Sequence, residues 1–144
     1  MKKILSLDLG TTTGWAFVAG QTDIITGSFT HKTYHPWAKE LSELIKLYNP
    51  QIIICSQTNN FGFFNANRKA HMLFGIACLL GETAKIPVIE FNDSSARKAL
   101  FGKGGMDKKT THQLFDSKFP EHSASTPDEK DALVLTLGWI ALQQ

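Results

Sequence analysis

Two cysteines, five prolines and no long apolar run give this 144-residue chain few staples and argue against a membrane anchor. Cys55 and Cys78 lie in apolar stretches, form no CxxC pair and have no histidine nearby at ligand spacing, which argues against a disulfide framework and against zinc. Reduced, buried thiols in a cytoplasmic protein are the expectation. No stretch of about 18 apolar residues occurs, and the first residues enter a strand without an apolar leader, so neither membrane insertion nor export is expected. Charge of neither sign dominates: 15 Lys and Arg against 13 Asp and Glu give a net +2. That permits a polyanionic partner without demanding one. Repeats, low-complexity runs and long linkers are also lacking. With 42% hydrophobic and 19% charged residues, residues 1–144 suit one domain around a single core.

The apolar pattern that is present alternates in a mixed order. "KILSLDL" (3–9), "GWAFVA" (14–19) and "DIITGSFT" (23–30) read as three strands joined by the turns "GTTTG" and "GQ", an antiparallel meander. Trp37, Leu41, Leu44, Ile45 and Tyr48 recur at helical spacing over 35–49, and this helix ends at Asn49-Pro50. "QIIICSQ" (51–57) is nearly all apolar, as a strand covered on both faces requires. A long helix is predicted over 65–85, a strand over 87–91, and helices over 93–101, 107–118 and 127–142. The order β-β-β-α-β-α-β-α, closed by helices, is that of an α/β, ribonuclease H-like fold: a five-stranded mixed sheet flanked by helices. Trp15, Trp37 and Trp139 sit on apolar faces and are expected in the core.

Asp8 is the one charged residue inside the first strand. Alternation puts Ile4, Ser6 and Asp8 on one face and Leu5, Leu7 and Leu9 on the other. Asp8 therefore leaves the leucine face near the strand's carboxyl end, where ligand sites of α/β sheets gather. A desolvated, ionised carboxylate there must neutralise or find a cation. In "STPDEKDALVLTLGWIALQQ" (125–144), Pro127 suits the first helical turn, and Asp128 and Asp131, three apart, share a face. Acid enrichment at a helix start is one account of that pair. A metal site is the other, because hard divalent ions such as Mg²⁺ take carboxylate oxygens, and two of them about 3.5–4 Å apart can activate water and stabilise the leaving oxygen of a phosphodiester.

These segments resemble the RuvC-like Holliday junction resolvases of the ribonuclease H superfamily, particularly compact forms associated with phages and mobile elements. The resemblance covers nearly the whole chain and rests on "ILSLDLGTTTGWA", "PQIIICSQ", "IPVIEFNDSSARKALFGKGGMDKKTTHQLF" (86–115) and "DEKDALVLTLGW" (128–139). It implies Mg²⁺-dependent cleavage of branched DNA by a homodimer, with two ions per active site and Mn²⁺ as substitute. The ions would be held by an Asp on the first strand, a Glu ending the fourth, and two acids on the last helix. Asp8, Asp128 and Asp131 match three of these, and Lys108 matches the family's active-site lysine. The fourth strand departs from the pattern: Ser56 stands at the glutamate position and Gln57 at the glutamine that follows, and the next acids, Glu82 and Glu90, lie on other elements. A serine hydroxyl is neutral and short and cannot bridge two cations. The expectation is reduced occupancy and impaired cleavage with DNA binding retained, unless Gln57 or Glu129 compensates.

For DNA contact the candidates are Phe61, Phe63 and Phe64, which could wedge or stack on bases at a branch, followed by Arg68 and Lys69. Arg97, Lys98, Lys103 and Lys109 flank a glycine turn and suit phosphates. The matching loop and helix of the family lie beside the junction and the dimer interface, which points to the 65–85 helix as the dimer contact. The five histidines are dispersed, but His112 lies one turn from Lys108 and could approach the site. "DLGTTTG" also resembles the phosphate loop of sugar kinases and actin-like ATPases, which need a second lobe that 144 residues do not provide. YqgF-like RNA nucleases match in size and first motif but carry a basic residue before the glycine that "TTTGWA" lacks. A catalytically inactive DNA-binding protein is the third class, with Ser56 as its best argument.

Overall fold

A computed structural model describes residues 2–57, 64–122 and 124–144, with side chains at 64–66 left out. The strands are β1 (Ile4–Asp8), β2 (Thr12–Val18), β3 (Ile24–Thr30), β4 (Ile52–Ser56) and β5 (Val88–Phe91). The helices are α1 (Tyr34–Tyr48), α2 (Phe64–Thr83), α3 (Asp93–Phe101), α4 (Lys108–Lys118) and α5 (Pro127–Gln143). Strand order is β3-β2-β1-β4-β5. The β1–β2 and β2–β3 pairs are antiparallel, the β1–β4 and β4–β5 pairs parallel. The helical crossovers α1 and α2 are what parallel neighbours require.

Alternation along the central strands feeds two apolar layers. Leu5, Leu7 and Ile53 join Trp37 and Leu41 of α1 and Leu73 of α2 on one face. Ile4, Ile52 and Ile54 join Ala96 and Leu100 of α3, Phe115 of α4 and Leu133 and Leu135 of α5 on the other. Asp8 shares the second face, as the alternation predicts, and with it Ser6, whose Oγ pairs with the Thr136 hydroxyl of α5. Trp37 is wholly buried, and its Nε1 donates to Thr13 Oγ1, so the indole N–H is not stranded in the core. Trp15 and Trp139 pack at the margins of the two layers.

The start of β2 differs from expectation. The chain re-enters the sheet at Thr12, so Gly14 is a strand residue paired with Asp8 and the turn between the strands shrinks to three residues. Thr13 tightens that turn by donating its hydroxyl to Gly10 O. Gly14 is required by close approach: a Cβ there would stand 2.0 Å from the carbonyl oxygen of Asp128. Farther along α5, Gly138 lets Ala96 of α3 come close too, 2.6 Å from where a Cβ would be. The two glycines seat α5 against β2 at its start and against α3 farther on.

The helix ends are chemically specified. Thr126 caps α5, accepting from the Glu129 N–H, while the Glu129 carboxylate accepts from the hydroxyls of Thr126, Ser125 and Thr26. This is a form of the capping box. Burial opposes the charge of Glu129, but these hydrogen bonds outweigh it and hold its pKa below the usual value. Both cysteines are free, Cys55 buried and Cys78 half-buried, and burial pushes both thiols up, away from the reactive thiolate.

Candidate metal centre

The site forms where β1 ends beneath the first turn of α5. Asp8 is the last residue of β1, and its partner across the ladder is Gly14. Because Gly14 has no side chain, the first turn of α5 settles directly on β2, with the Asp128 backbone against that position. Asp131 lies one turn on. One carboxylate oxygen from each of Asp8, Asp128 and Asp131 falls within 4.8 Å of the other two. Residues more than a hundred positions apart in sequence thus form one acidic notch at the carboxyl end of the central strand.

The fold around that notch matches solved resolvases, although no family model matches the chain. The structure of Thermus thermophilus RuvC in complex with a Holliday junction substrate superposes with a TM-score of 0.81 over 99% of this chain and 95% of that one, at 15% identity. The fowlpox virus resolvase bound to Holliday junction DNA gives 0.70 over 98% of both chains, at 17% identity. In sequence, RuvC of Brucella anthropi, described as a crossover junction endodeoxyribonuclease, is 29% identical over 97 residues, 67% of this chain and 56% of that protein. The chain is RuvC-like. Brucella ovis RuvC is 33% identical over a shorter stretch of 63 residues, 44% of this chain and 36% of the relative. The chain spans about half the length of the curated relatives it matches. The likeness to the solved structures extends over the ribonuclease H-like sheet and its helices.

Two side chains of α4 reach the notch of this RuvC-like chain. Lys108 Nζ donates to Asp131 Oδ2 at 3.1 Å, and His112 Nε2 stands 2.7 Å from Asp131 Oδ1. They lie four residues apart and hence on one helix face. Asp107 caps this helix by accepting from the Thr110 N–H, which sets where the face begins. Burial works against the Lys108 charge, but Asp131, with Asp8 and Asp128 beyond it, outweighs this and keeps its pKa above the usual ammonium value.

The electrostatics of the notch are those of crowded acids. Asp8 is pushed up to about 7, first by burial and then by the charges of Asp131, Asp93 and Asp128, with Lys108 opposing. Asp93, the first residue of α3, is itself raised by burial and by Asp131, against Arg97 and Lys108. Sequence reading passed over Asp93 because an acid in a helix's first turn has an ordinary explanation in the helix dipole. The signal that could have found it is its position two residues past the carboxyl end of β5.

Ser56 ends β4, buried, and its Oγ accepts the Leu9 N–H at 3.0 Å. The hydroxyl thus ties β4 to the chain just beyond Asp8. Gln57 accepts from Asn92 Nδ2 through its Oε1, and Glu129 is held by the three hydroxyls of the α5 cap. The two side chains expected to compensate for Ser56 are therefore both engaged in holding the fold.

Of the residues expected to meet DNA, Phe61 and Phe63 lie outside the described residues, as does the side chain of Phe64. Arg68 is exposed on α2. Lys69 points back to the sheet, where its ammonium donates to Thr11 Oγ1 and to the carbonyls of His31 and Lys32. Arg97 Nε donates to Gly104 O and braces the glycine turn. Lys98, Lys103 and Lys109 are exposed around that turn.

Proposed function

We propose that this RuvC-like chain is a divalent-metal-dependent endonuclease, using Mg²⁺ with Mn²⁺ as substitute, that resolves four-way or otherwise branched DNA. The observation that carries this reading is the convergence of Asp8, Asp128 and Asp131. The donor set fits a hard cation: all the converging ligand atoms are carboxylate oxygens, and Asp8 is held so far from its ordinary ionisation that a cation beside it relieves repulsion. When bound, the metal supplies an activated water and charge neutralisation for phosphodiester hydrolysis. The chain's own part is positional. Gly14 and the Thr126 cap set Asp128 and Asp131 over Asp8. His112 orients the Asp131 carboxylate, and the ammonium of Lys108, paired with Asp131 but largely exposed, can turn toward a phosphate oxygen.

Lys98, Lys103, Lys109 and Arg68 supply backbone contacts, with Phe61, Phe63 and Phe64 at the branch point. The chain works as one domain, paired with a second copy through α2, where Met72 and Leu79 face outward at one helical spacing. Two copies would provide the two cuts that resolution requires.

Ser56 favours a second reading, a protein that binds junctions and cuts slowly, because its hydroxyl is neutral and already engaged by Leu9. One set of assays separates the readings. Wild-type protein is mixed with a four-way DNA junction, a matched duplex, structured RNA and ATP, each with Mg²⁺, with Mn²⁺ and with EDTA. Metal-dependent nicking of the junction, abolished in Asp8→Asn, is expected. Junction binding without nicking, raised to nicking by Ser56→Glu, supports the slow-cutting reading. Preferred cleavage of RNA or ATP overturns both.

A further inference from the structure

The expected place for a fourth carboxylate, the end of β4, carries Ser56. Leu7 of β1 pairs with Cys55 and Ser56 pairs with Phe91, so Asp8, Ser56 and the end of β5 stand in one row across the sheet. Neighbouring strands lie about 4.8 Å apart, so the end of β5 is roughly 10 Å from β1. The chain returns across that gap on the Asp8 face. After Phe91 it turns at Asn92, whose side chain accepts from the Ser95 N–H, and enters α3. Gly138 lets α3 sit against α5 at Ala96, which shares a face of α3 with Asp93, three residues earlier. Asp131 lies seven residues, two turns, before Gly138 on α5. The contact that locks α3 onto α5 thus brings Asp93 to the side where Asp131 projects.

We infer that Asp93 supplies the fourth carboxylate of the metal centre, from the β5–α3 junction one strand beyond the position that Ser56 occupies. The inference rests on the proposed metal-dependent nuclease. Four acids, Asp8, Asp93, Asp128 and Asp131, then face Lys108 and, beside Asp93, Arg97. The converging trio is Asp8, Asp128 and Asp131; Asp93 stands outside that trio, at its edge, where its charge is felt at Asp8 and that of Asp131 is felt at Asp93. Ser56 keeps a structural task in holding Leu9, and the charge it lacks enters from the neighbouring strand.

The test counts bound Mn²⁺ by electron paramagnetic resonance on the full chain without DNA, alongside circular dichroism to verify folding. Wild-type protein is expected to hold two Mn²⁺ per chain. Asp93→Asn should hold one, or bind the second on the order of tenfold more weakly or worse, and should need correspondingly more Mg²⁺ for junction nicking. Ser56→Glu placed in Asp93→Asn should restore the second ion, because a carboxylate then returns on the adjacent strand. Asp8→Asn should lose both ions. If Asp93→Asn binds two ions as wild type does while Asp8→Asn fails, the role of Asp93 is overturned and the nuclease reading stands. If Asp93→Asn loses an ion that Ser56→Glu does not return, Asp93 acts through packing and the inference is also overturned. If wild type binds no Mn²⁺, the metal reading falls and this inference with it.

Discussion

Removing the Asp8 carboxylate should stabilise the metal-free protein while disabling it. In the folded chain Asp8 is held at about 7, chiefly by burial and then by its acidic neighbours, whereas an Asp in an unfolded chain titrates near 3.9. The native state therefore grips the proton more tightly than the unfolded one, and stability declines as pH rises between these two values. Once pH exceeds 7 the full penalty applies, about 4 kcal/mol as a ceiling, and water at the open side of the notch screens it to roughly 2–4 kcal/mol. Asp8→Asn has nothing to ionise and escapes the penalty. In EDTA, urea unfolding should find Asp8→Asn the more stable form at pH 8, by an amount that shrinks by about half or more by pH 5. Saturating Mn²⁺ should reverse the order, since each ion at a hundred times its Kd adds about 2.7 kcal/mol to the form that binds it, and the two expected ions together exceed the penalty. Parallel stability profiles for the two proteins from pH 5 to pH 8 would refute the reasoning, because they would mean that Asp8 ionises as freely in the native chain as in the unfolded one.

Gly14→Ala places a methyl 2.0 Å from the Asp128 carbonyl oxygen, so α5 must back away from β2. A loss of about 1–3 kcal/mol is expected from the overpacking, together with weakened Mn²⁺ binding, and calorimetry on the same sample reads both. Lys108→Gln should separate function from stability. The lysine side chain is 76% exposed, so unfolding should shift by no more than about 0.5 kcal/mol, while junction nicking falls on the order of a hundredfold with Mn²⁺ binding retained. A matching fall in metal affinity would reassign Lys108 from phosphate contact to support of Asp131.

Most of the architecture was readable because apolar period and element length agree along the chain. β4 is short and apolar but for its last residue, α1 carries one clean stripe, and Pro127 marks the start of α5, so each could be placed within a residue or two. Asp8 was legible as an exception, a charge inside a strand whose neighbours are apolar. The beginning of β2 was set two residues late because Thr12 and Thr13 lie within "GTTTG", which looks like a turn in sequence; the reason for a glycine at 14 is the backbone of Asp128, more than a hundred residues away. Asp93 was hidden by the opposite difficulty. Its local explanation as a helix-start acid is sufficient, and only the packing of α3 on α5 makes it a neighbour of Asp8. Lys69 illustrates a third limit: its charge is plain in the sequence, but the carbonyls that occupy its ammonium belong to a distant loop.

The seating of α5 on Gly14 also orders the protein's life on the ribosome. The helix that brings two of the acids is made after every strand, and until it docks, Asp8 sits alone at the rim of an unfinished sheet. A chain that has made its β-meander but not α5 lacks two of the three converging acids. On the proposed reading, the capacity to cut would switch on only when Asp128 and Asp131 close over Asp8, so a partly made chain would leave DNA uncut.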